Sequence, residues 1–165
     1  MIYPTKKLVC EFLHIFSRFE YALKKTNFLK KGVRGNAEAN WDKFAKYLDT
    51  KTLLSAVNSK NFQAGVIYFF DHPPKKQIIN DNGILGWKDE VIPENQQNFE
   101  KLLTLVRRAR NNLFHGGKFQ SGEVAGSDRD KKLIKLGLVI LEECLNLDTV
   151  IEQEFHKEVF NIYED

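Results

Sequence analysis

The sequence predicts an all-α fold, with four or five helices packed as a bundle in one domain over residues 1–165. Three observations lead there. Apolar residues recur every three to four positions over long stretches, the period of one helix face. Clusters that break helices, at Gly32–Asn40, Pro73-Pro74, Asn80–Gly83 and Gly116-Gly117, fall between those stretches. A chain of 165 residues, 42% of them hydrophobic, buries roughly 70% of its unfolded surface, enough for a core without disulfide staples.

The first helix is expected within Lys6–Lys31, where Leu8, Phe12, Ile15, Phe16, Phe19, Ala22 and Leu23 share a face. Gly32–Asn40 is a loop, after which Trp41, Phe44, Ala45 and Leu48 restart the period in a second helix from about Ala39 to Val57. From Ser59 to Asn95 the pattern lapses. Val66-Ile67-Tyr68-Phe69-Phe70 fits a buried strand or a helix fragment, and periodicity does not decide between them. Pro73-Pro74 forbids helix continuation and Asn80-Asp81-Asn82-Gly83 is turn chemistry, so this section reads as a long irregular connection between helices two and three. The third helix starts at Pro93-Glu94-Asn95, with Glu94 at its positive end. It turns Phe99, Leu102, Leu103, Val106, Ala109 and Leu113 inward and stops at Gly116-Gly117. Lys118–Asp128 is a further loop. The fourth helix, from about Arg129, carries a stripe from Leu133 to Leu145 and on through Val150, Ile151, Phe155, Val159 and Ile162, with Asn146–Asp148 as a kink or a split.

The net charge of +3, from 25 Lys and Arg against 22 Asp and Glu, is too small by itself to announce a nucleic-acid binder. It averages unlike parts. Residues 1–35 hold eight Lys or Arg against two Glu, whereas residues 142–165 hold eight carboxylates against one Lys. Cys10 and Cys144 make no C-x-x-C and have apolar neighbours, so both are expected to be reduced core thiols. No apolar run of 18 residues and no secretory segment is present, so a cytoplasmic protein without a membrane partner is expected. His14, His72 and His156 have no ligand spacing with one another or with the cysteines, and no phosphate-cradling glycine loop is found. Neither a metal nor another cofactor is expected.

The informative segment is Arg107-Arg108-Ala109-Arg110-Asn111-Asn112-Leu113-Phe114-His115-Gly116-Gly117-Lys118. Between Lys101 and Lys118 there are five Lys or Arg, one His and no carboxylate, which makes either an anion-binding surface or a solvated basic face. On an ideal helix Arg108 and Asn111 nearly eclipse His115, whereas Arg110 lies about 140° from it. Arg110 and His115 therefore meet only if the helix ends near His115 or if a second copy of the chain supplies one of them. Arginine offers a permanent charge in a fork that matches phosphate, and histidine moves a proton near neutral pH. Together they suffice to cleave RNA without a metal ion.

The string from Arg110 to Lys118 resembles the signature of the HEPN superfamily (higher eukaryotes and prokaryotes nucleotide-binding). In that signature an Arg, usually followed by a polar residue, precedes a His by four to six intervening residues. Here the intervening count is four and the polar residue is Asn111. Phe12, Phe16, Arg18, Phe19, Glu20, Ala22, Leu23 and Lys24 are similar to the first helix of a plasmid- and phage-defence-associated subgroup. Pro73-Pro74-Lys75-Lys76-Gln77 and Trp87 are similar to its middle region. The resemblance implies an all-helical, HEPN-like homodimer that is a metal-independent endoribonuclease of the toxin or abortive-infection kind. RNA would be its substrate, and an antitoxin or inhibitor protein a further partner. By the family's pattern Arg110 and His115 carry over as the catalytic pair and Asn111 as the neighbour that orients them, with two motifs facing each other across the dimer. The alternative is a non-catalytic HEPN module that binds RNA or a nucleotide, or mediates dimerisation. Toxins of the family silenced by nucleotidyltransferase-type antitoxins have a Tyr two residues after the His; Gly117 stands there, so that regulation is not expected. Arg108 also satisfies the spacing, with six intervening residues, but Arg110 is preferred because Asn111 follows it directly.

Around this pair, Lys118 is read as a contact to a neighbouring phosphate, since two glycines let backbone approach closely, and Arg107 and Arg108 as further substrate contacts. Glu20 and Arg18 on helix one are supporting residues: Glu20 is either an acid that reaches the cleft and tunes His115 or half of a surface ion pair. Lys75 and Lys76, with Tyr68, Phe69, Phe70 and Trp87, would make a basic, aromatic RNA track, although those aromatics are expected in the core.

Overall fold

In the computed structural model, which describes residues 6–114 and 128–157, six α-helices and two small hairpins surround a core rich in phenylalanine. The first helix, α1, spans Lys6–Lys24 and buries Phe12, Phe16, Phe19, Ala22 and Leu23, the face its period predicts. It ends before Lys31 because the Lys25 and Thr26 amides and the Thr26 hydroxyl turn back onto Tyr21, Ala22 and Leu23 carbonyls. The expected loop after it is a hairpin. Leu29–Lys31 (β1) pairs antiparallel with Ala37–Ala39 (β2), and Gly35 takes the left-handed φ of 82° that closes the turn.

Asn40 caps the second helix, α2 (Trp41–Lys51), accepting the Lys43 amide at 3.1 Å. That helix is shorter than expected. Thr52 is extended and Leu54–Ala56 forms a 3-10 turn, whose Leu54 carbonyl and the Val57 carbonyl accept from the Gln63 amide at 2.7 and 2.9 Å.

The middle of the chain departs most from the expectation of an irregular connection. Ser59 caps a third helix, α3 (Lys60–Asp71), which absorbs the ambiguous aromatic run and buries Phe62, Gly65, Val66, Phe69 and Phe70. Pro73-Pro74 ends it, and a second hairpin follows: Lys76–Ile79 (β3) pairs antiparallel with Leu85–Lys88 (β4). The turn between them is the predicted one, with Asn80 Oδ1 accepting the Asn82 and Ile84 amides and Gly83 at a φ of 74°. The fold is thus mostly helical with two small antiparallel sheets rather than purely all-α.

Pro93 opens a 3-10 turn, Glu94–Gln96, rather than the helix itself. The fourth helix, α4, spans Phe99–Phe114; Asn98 Oδ1 accepts the Lys101 amide at 2.9 Å, and Asp49 Oδ1 of α2 accepts the Phe99 amide at 3.0 Å. The fifth, α5, spans Asp128–Asn146, and the break at Asn146–Asp148 separates it from α6 (Thr149–His156), whose first amides are capped by Asp148. Helix α5 packs against α1 and α3, α2 against α4, and α6 against α1. Two glycines permit that closeness: a Cβ on Gly137 would lie 3.0 Å from Phe12 Cε2, and one on Gly65 3.3 Å from Ile140 Cγ1. Cys144 is buried as expected, but Cys10 is exposed, because it lies off the Phe12–Phe16–Phe19 face of α1. Among the described residues, no helix is long and apolar enough to cross a membrane. His115, Gly116-Gly117, Lys118, the loop up to Asp128, Val159 and Ile162 lie outside the described residues.

Candidate functional site

Helix α4 buries Phe99, Leu102, Leu103, Leu105, Val106 and Ala109, and this wide apolar face fixes where its polar residues go. Its cations fan out to three neighbours. Arg107 faces α2, with Nη1 3.4 Å from Asp42 Oδ1 and its guanidinium 6.0 Å from the Trp41 ring centre. Arg108 faces the segment between α3 and α4: Nη1 donates to Glu90 Oε2 at 2.5 Å and to the Pro74 carbonyl at 3.2 Å. Lys101, two turns earlier on the same side, reaches Glu90 Oε1 at 2.5 Å. Arg110 turns toward α1, where its guanidinium lies 5.2 Å from the centre of the Phe16 ring and Nη1 donates to Asn111 Oδ1 at 2.9 Å.

The stretch that is free of carboxylates in sequence is therefore partly neutralised in space. Glu90 carries two of its cations. The hydrogen bond from Lys101, joined by Arg108 and opposed by partial burial, holds the Glu90 carboxyl below the ordinary glutamate range. Arg108 keeps only 16% of its side chain exposed, so it is a structural clasp between α4 and the segment that precedes it. Arg110, the other arginine with the right spacing, is placed beside the residue predicted to orient it. Arg110 and Asn111 are neighbours in the sequence, where the resemblance pairs them; the engagement of Arg108 was not visible there, because Glu90 is 18 residues away.

Asn112 is the residue that sequence reasoning passed over. It is 5% exposed and donates from Nδ2 to the Lys75 carbonyl at 2.9 Å, so the second Asn of the motif ties the foot of the β3–β4 hairpin to α4. Arg129 of α5 adds a bond to the Pro73 carbonyl at 2.7 Å. Its place three residues after Ala109, on the side that α4 turns inward, was the signal the sequence held.

On α1, Glu20 accepts from Trp41 Nε1 at 3.0 Å, and Trp41 lies stacked on Phe19 with ring centres 5.2 Å apart. Glu20 thus positions Trp41, over which Arg107 lies, and links α1, α2 and α4. Arg18 goes elsewhere: it donates to the Phe155 carbonyl and, at 2.6 Å, to the Lys157 carbonyl, at the C-terminal end of α6. Its guanidinium also lies over the Phe155 ring. The structure brings Arg110 and Asn111 together beside Phe16, and places Arg107, Arg108 and Arg18 in separate clusters.

Phe69 and Phe70 are core residues, as expected, but Trp87 is 37% exposed on β4. A cleft of about 360 Å³ between the end of α1, α2 and the start of α6 is lined by Phe28, Lys43, Tyr47 and Asp148. Its polar groups are turned on one another: Lys43 Nζ donates to the Asn27 carbonyl at 2.7 Å and the Tyr47 hydroxyl donates to Asp148. Among the described residues, no three His, Cys, Asp or Glu side chains cluster as a metal site would require. No protein-family model matches this chain, and no curated protein and no solved structure matches it either.

Proposed function

We propose that the chain is a metal-independent endoribonuclease of the HEPN type, acting in the cytoplasm as a homodimer. The observation that carries this reading is the Arg110–Asn111 pair. Its two side chains are hydrogen-bonded at 2.9 Å near the end of α4, in the motif that continues to His115, while the rival Arg108 is held by Glu90 and the Pro74 carbonyl.

In this reaction His115 takes the proton from a ribose 2′-OH, and the 2′ oxygen forms a bond to the adjacent phosphorus. The bond from phosphorus to the 5′ oxygen breaks, the departing oxygen takes a proton from solvent water while His115 returns its own to solvent, and the products are a 2′,3′-cyclic phosphate and a 5′-hydroxyl. Arg110 stabilises the extra charge on the pentacoordinate phosphate, with Asn111 fixing the plane of its guanidinium. Single-stranded or looped RNA is the substrate class, because there the 2′-OH can swing into line with the bond that breaks. An antitoxin or inhibitor protein would hold such an activity in check.

Purified protein incubated with mixed RNA in EDTA tests this. Cleavage should leave 2′,3′-cyclic phosphate ends, and His115→Ala should slow it by about 10²–10⁴-fold and Arg110→Ala by about 10²–10³-fold, each with an unchanged circular dichroism spectrum. A strict requirement for magnesium rejects the reading. Neutralisation of Lys101, Arg107 and Arg108 by Glu90 and Asp42 favours the second reading, a non-catalytic HEPN module. RNA binding without cleavage in any buffer selects that one.

A further inference from the structure

Along α1, Phe12, Phe16 and Glu20 stand four residues apart and so form one row on its surface. The two phenylalanines are core residues, 0% and 2% exposed, whereas Glu20 is a half-buried acid. Trp41, from the first turn of α2, lies against that row. Its ring centre is 5.2 Å from that of Phe16, with the planes 30° apart, and Phe19 stacks on it at the same separation. Phe12 backs Phe16 with ring centres 6.1 Å apart. A buried indole N–H needs an acceptor, and Glu20 Oε1 supplies one at 3.0 Å, which fixes the turn of Trp41 and so the place of the ring beside it.

Onto this row comes Arg110 from α4, its guanidinium 5.2 Å from the centre of the Phe16 ring. An arginine side chain has several rotatable bonds, and a fork that meets a phosphate gains from having them set beforehand. An aromatic ring engages the flat face of a guanidinium and leaves the donors at its edge to hydrogen bonds. One edge donor of Arg110, Nη1, meets Asn111 Oδ1 at 2.9 Å, but Asn111 is itself exposed, so the rigid support is Phe16. Phe16 in turn is wedged between Phe12 and Trp41, and a close-packed interior passes a displacement from one ring to the next.

We infer that Phe16 and Glu20 are positioning residues for Arg110. Phe16 carries the guanidinium, and Glu20, through Trp41, keeps Phe16 where Arg110 needs it to meet a phosphate. The inference rests on the ribonuclease reading for that phosphate, and it gives Glu20 a route to the site that requires no contact with substrate.

Single-turnover cleavage of RNA in EDTA is measured for Phe16→Leu, Glu20→Leu and Glu20→Gln, each alone and combined with Arg110→Ala. Phe16→Leu should slow cleavage about tenfold or more. Glu20→Leu should slow it about threefold or more, and Glu20→Gln, which keeps an acceptor for the indole, should stay within about twofold of the wild type. In the Arg110→Ala background neither leucine substitution should slow the reaction further, because a residue that acts through another has no effect once the other is gone. That background also separates this route from Arg107, which lies over Trp41. Phe62→Leu, at an equally buried ring against Phe99, controls for loss of core packing and should leave the rate unchanged. A second readout does not depend on cleavage. In nitrogen NMR spectra of the free protein the Arg110 Nε–H signal, identified by its loss in Arg110→Ala, should move in Phe16→Leu and Glu20→Leu, as the ring current on it changes, and stay in place in Phe62→Leu and Glu20→Gln. If Phe16→Leu fails to fold, the two Glu20 variants carry the same test. Slowing that persists undiminished in the Arg110→Ala background, or an Arg110 signal that ignores both leucine variants, overturns the inference and leaves the nuclease standing. A wild type that does not cleave rejects the nuclease. The inference then stands if the Arg110 signal moves as described and Phe16→Leu weakens binding of a 2′-O-methylated single strand only while Arg110 is present, and it falls otherwise.

Discussion

Replacing Arg108 by alanine separates scaffold from chemistry on α4. The guanidinium gives Glu90 a hydrogen bond at 2.5 Å and the Pro74 carbonyl another at 3.2 Å, with only 16% of the side chain exposed and 30% of Glu90's. A charge-assisted bond of this kind contributes about 1.5–3 kcal/mol, and Lys101 remains to hold Glu90, so a loss near 2 kcal/mol is expected. For a domain of this size that lowers Tm by roughly 4–8 °C. Glu90→Gln should show a similar loss, and the double variant should fall short of the sum by about 1–2 kcal/mol, since both changes break one bond. The loss also has a pH signature. The folded Glu90 carboxyl sits below its ordinary value, so its contribution is complete above about pH 5 and fades as the pH falls through the folded value. The gap between wild type and Arg108→Ala should therefore narrow below about pH 4. Thermal melts across that range, alongside RNA cleavage at neutral pH, decide the matter. An Arg108→Ala protein that melts like the wild type but no longer cleaves would refute the division of labour between Arg108 and Arg110.

Asp148 offers a second, independent check: its Oδ1 caps α6 through the Val150 and Ile151 amides at 3.0 Å, and its Oδ2 accepts from the Tyr47 hydroxyl. Asp148→Ala should cost about 2–4 kcal/mol, the sum of a lost cap and a stranded hydroxyl, while Asp148→Asn, which still caps, should cost about half of that in urea melts. Burial pushes this carboxyl up, but Tyr47, the two amides and Lys51 outweigh it and leave it below the ordinary aspartate value; the penalty of Asp148→Asn should accordingly shrink as the pH falls below about 4. The two thiols should differ sharply. Burial raises the Cys144 pKa, and the side chain is fully enclosed, so a thiol reagent applied to the native protein should label one equivalent, at exposed Cys10, with the second appearing only in denaturant.

What the sequence discloses here follows the range over which each signal acts. The stripes of α1, α4 and α5 are local, repeat every turn and are built from large apolar residues, so Phe12, Phe16, Phe19, Leu102, Val106, Leu133 and Ile140 all lie where their period puts them. Helix α3 has the same period, at Phe62, Gly65, Val66, Phe69 and Phe70, behind a Ser59 cap. It was hidden because the second member of the stripe is a glycine, which reads as a breaker; only the facing Ile140, on a helix that comes later in the chain, makes the missing side chain an advantage. Charge behaves in the same way. The absence of carboxylates from Lys101 to Lys118 is a true statement about neighbours in sequence, but Asp42 meets Arg107 from 65 residues away and Glu90 meets Arg108 from 18. A basic run along a chain thus marks where acids are not needed locally, not where anions must bind. Lys76 and Lys88 are the reverse case: ordinary at their positions in the sequence, they become two like charges with no acid partner among the described residues only once the register of β3 and β4 sets them side by side. Arg110 and Asn111 can be read in one dimension because they are neighbours on one helix, whereas the clasp that ties that helix to the hairpin joins Arg108 to Glu90 and Asn112 to Lys75, and so is visible only in the fold.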